Sequence, residues 1–387
     1  MANKLWYSRA IAAVATGALT VTLAACGGEG AGSGSGAGDD SNEEGGLVGV
    51  AMPTETSERW IADGAAVEDG LKEAGYDVDL QFAGDDIPTQ QQQIDAMINA
   101  GAEALIVAAI DGTTLTGQLE AAAAQDIPVI SYDRLIRDSE DVDFYVSFDN
   151  FQVGVAQANA LLNGLGLVDE NGEPVEDAPK GPFNVELFAG SLDDNNAHFF
   201  WDGAMSVLEP LIEDGTLVVP SEQTEIDQAA TQRWLQENAQ SRMEDLLTAH
   251  YDGNEKVDGV LSPYDGLSRG IIEALRSAGY EDDAMPVITG QDAEIASVKL
   301  IADGVQNSTI FKDTRLLADQ AVVTAEALLA GEEPEANNTE DYDNGVKVVP
   351  SYLLPVTTIY ADNIESELVD SGYWTAEEVE SGVAETE

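Results

Sequence analysis

Charged and polar side chains directly follow four apolar, strand-like runs of the sequence, and one of these runs is "PVISY". A strand that enters the interior of a protein should not end on full charges unless a partner or a ligand needs them. Carboxylates accept hydrogen bonds from hydroxyl groups, and guanidinium and ammonium groups donate them. The pattern therefore predicts a cleft that binds a polar ligand. The residues are Asp111, Asp133-Arg134, Tyr264-Asp265 and Gln291-Asp292.

One short motif could indicate a hydrolase instead. The segment 266–270, "GLSRG", has the form G-x-S-x-G of the nucleophile elbow, which needs a histidine later in the chain. Both histidines, His198 and His250, precede Ser268, so we interpret the motif as a chance match in the turn that opens a helix. The histidines form no metal signature, and no dinucleotide-binding or Walker-type loop follows the first strand. We expect no cofactor and no metal.

A pair of carboxylates could also serve a glycosidase. With 73 Asp and Glu residues some pair will always lie close together, so acid pairs alone indicate little. The accompanying residues, which include Arg134, Lys312, tryptophans and asparagines, are groups that hold sugars, because a pyranose ring packs on an aromatic face and its hydroxyls bind charged groups. We favour binding, and a secreted glycosidase remains the alternative from a different class.

The elements that must position these residues form a repeating pattern from residue 47 onward. Continuous runs rich in Val and Ile, typical of strands covered on both faces, alternate with amphipathic helical stretches. The pattern begins again after "FYVSFDN", so we predict an α/β fold with two doubly wound, Rossmann-like units. Ligands of such sheets bind beyond the carboxyl ends of the strands, where the charged residues lie. Strands are predicted at 47–52, 77–83, 104–110, 128–133, 183–190, 216–221, 257–263 and 285–292.

The composition limits the classes of partner. The 16 Lys and Arg residues against 73 Asp and Glu give a formal net charge of −57, which disfavours nucleic acids and anionic lipid surfaces. The acids are spread along the whole chain, which favours a role in solubility or in tolerance of a salty exterior. The last dozen residues are acidic and are expected to be frayed.

The N-terminus has the features of a targeting segment. Lys4 and Arg9 precede an apolar run that is too short to span a bilayer, and the run ends in "LAAC" at Cys26. This end resembles the lipobox of bacterial lipoproteins, which implies removal of residues 1–25 and a diacylglycerol on the Cys26 sulfur. Residues 26–46 would be a flexible Gly/Ser linker. The alternative is an ordinary secretory signal with a coincidental cysteine.

Several longer motifs resemble one family. Between about residue 47 and about residue 375 the chain is similar to the monosaccharide-binding proteins of bacterial ABC importers, in particular the xylose-binding and multiple-sugar-binding members of the ribose/galactose-binding type. The motifs are "MPTETSERW", "IDGTTL", "VISYDRLI", "FDNFQVG", "SLDDNNAHFF", "RWLQENAQSRM", "SPYDGLS", "VITGQDAEIASVK" and "STIFKDTR".

The resemblance implies two lobes joined by a three-segment hinge, the periplasmic-binding-protein-like architecture, with sugar between the lobes. The N-terminal lobe would contain residues 47–148 and 312–353, and the C-terminal lobe residues 149–311 and 354–387. The three crossovers would lie near Phe148-Asp149, Lys312-Asp313 and Leu354-Pro355.

The resemblance also assigns residues to the sugar. Trp60 and Trp234 would stack on the ring. At one corner the xylose and ribose binders have Asn followed by Asp, whereas this chain has Tyr264 followed by Asp265, so the contact there and the exact sugar stay open. The groups that would bind hydroxyls are Arg59, Asp133, Arg134, Asp194, Asn196, Asp265, Asp292 and Lys312.

The function implied is that of a monomeric, lipid-anchored extracytoplasmic receptor. It would capture a neutral monosaccharide of the xylose, glucose, galactose or arabinose class by hinge closure and deliver it to a permease driven by a cytoplasmic ATPase. A receptor for another polyol-like solute, or one that reports sugar to a sensor, is the alternative within the same class.

Overall fold

The computed structural model describes residues 45–251 and 255–384. Strands and helices alternate along these residues. The strands are β1 (Gly45–Met52), β2 (Tyr76–Phe82), β3 (Ala102–Val107), β4 (Val129–Tyr132), β5 (Phe144–Phe148), β6 (Phe183–Leu187), β7 (Leu217–Val218), β8 (Gly259–Leu261), β9 (Val287–Ile288), β10 (Thr309–Phe311), β11 (Ser351–Leu354) and β12 (Thr357–Ile359).

The helices fill the intervals between the strands. They are α1 (Glu58–Glu73), α2 (Ile87–Ala100), α3 (Thr116–Ala123), α4 (Asn150–Gly164), α5 (Asn195–Glu213), α6 (Ile226–Ala229), α7 (Gln236–His250), α8 (Asp265–Ser277), α9 (Ile295–Ala302), α10 (Thr314–Leu329) and α11 (Ala376–Ser381). Short 3₁₀ turns occur at Gln232–Trp234 and Asp282–Ala284, and a π-helical turn at Glu365–Val369.

Two parallel sheets organise the described chain. The first sheet has the order β2-β1-β3-β4-β5-β11, and the second has the order β7-β6-β8-β9. In the first sheet β2 lies at the edge beside β1, and in the second sheet β7 lies at the edge beside β6. The following strands are added on the other side of β1 and β6, which is the doubly wound arrangement. Strands β10 and β12 pair antiparallel beside them. The predicted fold class is thus confirmed.

Each sheet is covered by helices on both faces because alternate residues of its strands point in opposite directions. On β1, Val48 and Val50 contribute to the core under α1 and α10, whereas Ala51 contributes to the core under α2 and α3. On β8, Val260 packs with α7 and α8, whereas Leu261 packs with α4 and α5. Continuous apolar strands are required for this burial on two sides.

The chain passes between the sheets at three places. It leaves the first sheet after β5 and enters α4, which packs on the second sheet at β8. It returns after β10 into α10, which packs on α1, and leaves again between β11 and β12. The division of the chain into two lobes around these segments stays a prediction.

For residues 376–384 the structure corrects the expectation of a frayed C-terminus, and residues 385–387 lie outside the described residues. Thr375 and Glu378 form a reciprocal capping box that begins α11, and Val379 packs against the cluster around α9. The cap and this apolar contact stabilise a short acidic helix. The expected signal peptide and the expected lipid site at Cys26 lie outside the described residues. Among the helices that the structure describes, none is both long enough and apolar enough to cross a bilayer.

The contact between α4 and α5 depends on two glycines. A Cβ atom at Gly154 would overlap with the backbone oxygen of Phe200, and one at Gly203 would overlap with the backbone oxygen of Phe151. We expect Gly154→Ala to lower the free energy of unfolding by about 1–3 kcal/mol, because two helix backbones would have to separate. Urea denaturation measures this change.

A matched control is Gly117→Ala in α3, where a Cβ atom meets nothing within 4 Å. Alanine there should leave stability unchanged or raise it by up to about 1 kcal/mol, because alanine has the higher helix propensity. If Gly154→Ala were as stable as the control, the close approach of α4 and α5 would not be as described.

Candidate functional site: a cleft between two sheets

A cavity of about 350 Å³ lies where the carboxyl ends of the strands of both sheets meet. Its wall combines charged groups with aromatic rings. The lining residues are Thr54, Thr56, Ser57, Arg59, Trp60, Asp85, Asp133, Arg134, Asp194, Asn196, Phe200, Arg233, Trp234, Leu235, Gln236, Glu237, Tyr264, Gly266, Arg269, Gln291, Asp292 and Lys312. The structure thus brings together every sugar-binding residue expected from the sequence except Asp265.

Arg59 enters the cavity wall from the first turn of α1. Its guanidinium donates from Nε to Asp63 at 3.0 Å and from Nη2 to Asp133 at 2.9 Å. Its Nη1 lies 3.7 Å from Asp292 Oδ1. Only 6% of Arg59 is exposed, so these carboxylates replace the water that a charged group would otherwise require.

Lys312 balances the same carboxylates from the opposite direction. It follows β10, and its ammonium lies 3.0 Å from Asp292 and 3.9 Å from Asp133. Phe148 and Phe200 approach the ammonium to within 5.6 Å and 5.7 Å of their ring centres, which adds cation–π attraction. A buried ammonium needs a compensating partner, and two carboxylates supply it here.

Asp133 and Arg134 have separate partners, as expected for adjacent residues at the end of a strand. Asp133 pairs with Arg59, whereas Arg134 Nε lies 3.2 Å from Asp194 Oδ2 and its Nη1 donates to the backbone oxygen of Ala109. The side chain of Arg134 also lies over the Trp60 ring. The two residues therefore belong to two different ion pairs of one cluster.

The start of α5 connects the second sheet to this cluster. Asp194 is the N-cap of α5, and its side chain accepts a hydrogen bond from the backbone nitrogen of Asn196. The Asn196 side chain donates to the Asp133 backbone oxygen at 2.9 Å and accepts from the Asn150 side chain. Asn196 is thereby held in a fixed orientation at the wall.

The two tryptophans lie on the wall in different environments. Trp60 is 4% exposed and belongs to the core of the first sheet, with the Arg59 guanidinium 4.3 Å from its ring centre. Trp234 lies in the 3₁₀ turn before α7 rather than inside an amphipathic helix. Its ring packs directly on Gly190, where any side chain would overlap it. Both rings are thus fixed by packing, which suits a stacking surface.

The charged cluster shifts the acidity of its members in opposite directions. Burial alone would raise the pKa of Asp133, but the neighbouring Arg59, Lys312 and Arg134 hold it below its usual value. Burial raises the pKa of Asp194 despite the nearby Arg134. Asp133 is therefore the more firmly ionised of the two and the stronger acceptor for hydroxyl groups.

The structure places Asp265 behind the wall instead of on it. Its carboxylate is fully buried and accepts hydrogen bonds from the Glu294 backbone and from the side chains of Gln306 and Thr309. Tyr264, its neighbour, occupies the wall and donates to Glu294. Asp265 is the first residue of α8, and its side chain points toward the loop after β9. Its hydrogen bonds stabilise that loop.

Asp111 is also outside the lining. Its carboxylate accepts hydrogen bonds from the backbone and the hydroxyl of Thr113, two residues further on, and so closes the turn between β3 and α3. A polar residue after a parallel strand can serve the turn as well as the cleft, and the sequence pattern alone does not separate these roles.

Several lining residues were not identified from the sequence. Phe200 lies one helical turn after Asn196 on α5, so its spacing of four residues from a predicted site residue was an available signal. Arg269 lies one turn after Asp265, which does not face the cleft, so the same spacing is no signal for Arg269. Arg233 reaches the cleft through a turn with a positive φ of 57°, and the sequence gives no comparable signal for it.

The nucleophile-elbow motif has no catalytic geometry. Ser268 lies inside α8, is fully buried, and donates to the Thr289 backbone oxygen. Among the residues that the structure describes, no group of three or more His, Cys, Asp and Glu side chains is arranged to hold a metal ion. The arrangement of the cleft suits noncovalent binding of a neutral, hydroxyl-rich ring.

Comparison with known proteins agrees with this description. Residues 48–333 match a family model described as "Periplasmic binding protein domain". The "Multiple sugar-binding periplasmic receptor ChvE" of Rhizobium radiobacter is 53% identical over 336 residues, covering 86% of this chain and 92% of that receptor. The "D-xylose-binding periplasmic protein" of Escherichia coli (strain K12) is 36% identical over 326 residues, covering 84% of this chain and 90% of that protein.

Solved structures give the same result. A crystal structure of an ABC transporter solute-binding protein from Clostridium phytofermentans, with bound β-D-glucose, matches with a TM-score of 0.81 and 44% identity, covering 86% of this chain and 99% of that one. A carbohydrate transporter solute-binding protein from Chloroflexus aurantiacus, in complex with D-glucose, matches with a TM-score of 0.76 and 37% identity, covering 86% and 98% of the two chains. The family that the sequence motifs indicated is thus confirmed.

The position of Asp265 predicts a structural role. We expect Asp265→Asn to lower the free energy of unfolding by about 1–3 kcal/mol, because an amide nitrogen would face donors where a carboxylate oxygen accepts. Asp283→Asn is the control, since Asp283 is an exposed acid in the turn before β9. Chemical denaturation of both variants measures the difference, and equal stability of the two would contradict the structural role.

Proposed function

Because the chain belongs to the family of periplasmic binding proteins, we propose that it is the sugar-binding receptor of an ABC importer and that it captures a neutral monosaccharide between its two sheets. The family and the similar proteins are sugar-binding transport receptors and not enzymes, so the glycosidase alternative is excluded. The sugar would be an aldose of the xylose, glucose, galactose or arabinose class.

The observation that supports the proposal most strongly is the composition of the cavity wall. Arg59, Asp133 and Lys312 supply charged donors and acceptors on the same cavity wall as the indole of Trp60, and Trp234 adds a second indole. A sugar presents hydroxyls along its edge and C–H groups on its faces, so it needs both kinds of surface. A volume of about 350 Å³ lies within the range of small-molecule pockets.

The mechanism that we propose is closure of two lobes around the sugar. The lobes would be residues 47–148 with 312–353 and residues 149–311 with 354–387, and the three connections between the sheets would be the hinge. Support comes from hydrogen bonds that already cross the cleft, from Ser57 to Glu294 and from Arg233 to the Asp85 backbone oxygen. A sugar that contacts both lobes would shift the population toward this closed arrangement, which the permease would recognise.

The cluster also supports selectivity for neutral sugars. A ligand carboxylate would have to lose its water next to Asp133, Asp194 or Asp292, and the cations nearby are already paired with these acids. A neutral hydroxyl can instead bridge an acid and a cation without changing the charge balance.

Binding and the role of Arg134 can be tested together. We expect D-glucose or D-xylose at about a hundred times its dissociation constant to raise the free energy of unfolding by roughly 2.7 kcal/mol. Arg134→Ala should weaken binding by about ten-fold to more than a hundred-fold, because a hydrogen bond from a charged group is worth about 1.5–3 kcal/mol. Thermal shift and titration calorimetry measure the two effects.

Arg276→Ala is the matched control, since Arg276 forms surface ion pairs with Glu273 and Asp282 far from the cavity lining. It should bind sugar as the wild type does. A purely structural role for Arg134 would give the opposite pattern, a lower melting temperature of the sugar-free protein with near wild-type affinity. Failure of pentoses and hexoses alike to shift the melting temperature would contradict the proposed function.

We propose further that the protein acts as a monomer outside the cytoplasm, anchored to the cell membrane by a lipid on Cys26. The tether would be residues 26–44 instead of 26–46, because Gly45 and Gly46 already belong to β1. The support is the sequence of residues 1–26, with its cations, apolar run and "LAAC" end. A tether rich in Gly and Ser would keep the sugar-binding body mobile near the permease.

The anchor predicts a clear result for Cys26→Ala. Without the sulfur that accepts the lipid, the precursor should stay unprocessed or the protein should leave the membrane fraction, while sugar affinity stays unchanged. Fractionation followed by immunoblotting and calorimetry makes both measurements. Processing and membrane association equal to the wild type would contradict the lipid anchor.

A further inference from the structure

Asp63 is a buried carboxylate that does not line the cavity but directly contacts a residue that does. It lies on α1, one helical turn after Arg59, and it is fully buried. Its Oδ2 accepts the hydrogen bond from Arg59 Nε at 3.0 Å, and its Oδ1 accepts a hydrogen bond from the hydroxyl of Tyr132. Asp63 thus joins the end of β4 to the arginine on the wall.

The contact with Asp63 determines how the Arg59 guanidinium is oriented. A guanidinium is planar, so a fixed hydrogen bond at Nε also fixes the directions of its Nη atoms. With Nε bound to Asp63, Nη2 points to Asp133 at 2.9 Å and Nη1 lies toward Asp292 at 3.7 Å. Without that bond the guanidinium could rotate about its stem, and Asp133 and Asp292 would lose one of the two cations that they share, leaving Lys312 alone.

The surroundings of Asp63 also make it sensitive to mild acid. Its charged and titratable neighbours are Arg59 on the same helix, Tyr132 and Asp133 at the end of β4, and Tyr373 from the C-terminal segment. Burial raises the pKa of Asp63 to about 6, although Arg59 and the Tyr132 hydroxyl both oppose that rise. From α10, which packs on α1, the core residues are the non-titrating Leu317, Ala318, Ala321 and Val322.

We propose that Asp63, supported by Tyr132, is a positioning residue that holds Arg59 in its sugar-binding orientation, and that protonation of Asp63 lowers sugar affinity in mild acid. The inference rests on the proposed function. A protonated Asp63 no longer attracts the guanidinium as a full charge, so Arg59 is held less firmly. A receptor of this kind binds sugar well near neutral pH and releases it more readily as the pH falls below about 6.

Protonation of Asp63 should lower sugar affinity but raise the stability of the fold. These opposite effects distinguish a positioning role from a structural role. The pKa of Asp63 is raised from 3.8 to about 6 in the folded chain, so the folded state binds the proton more tightly than the unfolded state does. Stability associated with Asp63 is therefore present below the unfolded pKa and is lost as the pH rises through about 6. Replacing Asp63 by the neutral, isosteric Asn should consequently not destabilise the protein at neutral pH by loss of charge.

The experiment is titration calorimetry of the mature protein with D-glucose and D-xylose between pH 5 and pH 8. Wild-type affinity should fall by about ten-fold between pH 7 and pH 5, as expected for one proton on a group that binding requires ionised. Asp63→Asn should bind about ten-fold more weakly at pH 7.5 and show a smaller loss toward pH 5. Burial also raises the pKa of Asp194, which is present in all variants. The quantity measured is therefore the difference between the pH profile of each variant's affinity and that of the wild type.

Two further variants sharpen the test. In Tyr132→Phe the hydroxyl that stabilises ionised Asp63 is absent, so the midpoint of the affinity loss should move to higher pH. Asp69→Asn replaces an exposed acid on the same helix and should behave as the wild type at every pH. Tyr132→Phe keeps the inference testable if Asp63→Asn does not fold.

The outcomes distinguish this inference from the proposed function. If the wild type binds neither D-glucose nor D-xylose at pH 7.5, the proposed function fails. If the wild type binds one of them but Asp63→Asn has the same affinity and the same pH profile, only the positioning role is overturned. A wild-type affinity that is constant between pH 5 and pH 8 overturns the acid sensitivity.

Discussion

The geometry of the cleft depends on a carboxylate that is buried between two cations. Asp133 lies 2.9 Å from Arg59 and 3.9 Å from Lys312, and Lys312 lies 3.0 Å from Asp292. An isolated charge buried in this way would cost several kcal/mol, so each member requires the others. The members come from α1, the end of β4, the loop after β9 and the connection after β10. The cluster can therefore form only when both sheets and the crossover between them are in place.

Backbone conformations at the cleft show what this placement requires. Asp133, Arg233, Trp234 and Asp292 all line the cavity, and all have positive φ angles, of 59°, 57°, 56° and 89°. This region is unfavourable for residues with a side chain, and it persists only where surrounding contacts hold it. At Asp133 those contacts are the hydrogen bonds that its backbone oxygen accepts from Tyr145, Ser147 and Asn196. Polar contacts behind the wall thus fix the side chains on it.

The fold and about half of the cavity wall could be predicted from the sequence. Convergence of the strand ends in parallel sheets accounts for Asp133, Arg134, Tyr264, Gln291 and Asp292. The other expected wall residues came only from the resemblance to the sugar-binding family, namely Arg59, Trp60, Asp194, Asn196, Trp234 and Lys312. The sequence could not distinguish Tyr264 from Asp265, since which of two adjacent side chains faces the cleft depends on the backbone direction at the start of α8. Asp63 was also missed, because an Arg-Asp pair four residues apart on a helix is equally typical of an exposed surface. Strands β7 and β9 are shorter than predicted. The apolar runs that predicted them reflect burial, and burial continues beyond the few residues that form the hydrogen bonds of the sheet.

The acidity of the whole chain and the charges of the cleft act over different ranges. With a net charge of −57, the protein repels anions at long range, whereas a neutral solute experiences no such force. At physiological ionic strength exposed charges are screened beyond about 8 Å, so salt relieves the self-repulsion of the acidic surface. Salt screens the buried pairs of Arg59, Asp133 and Lys312 far less, because they are shielded from water. A salty exterior can therefore favour the compact fold without weakening the cluster that would hold the sugar.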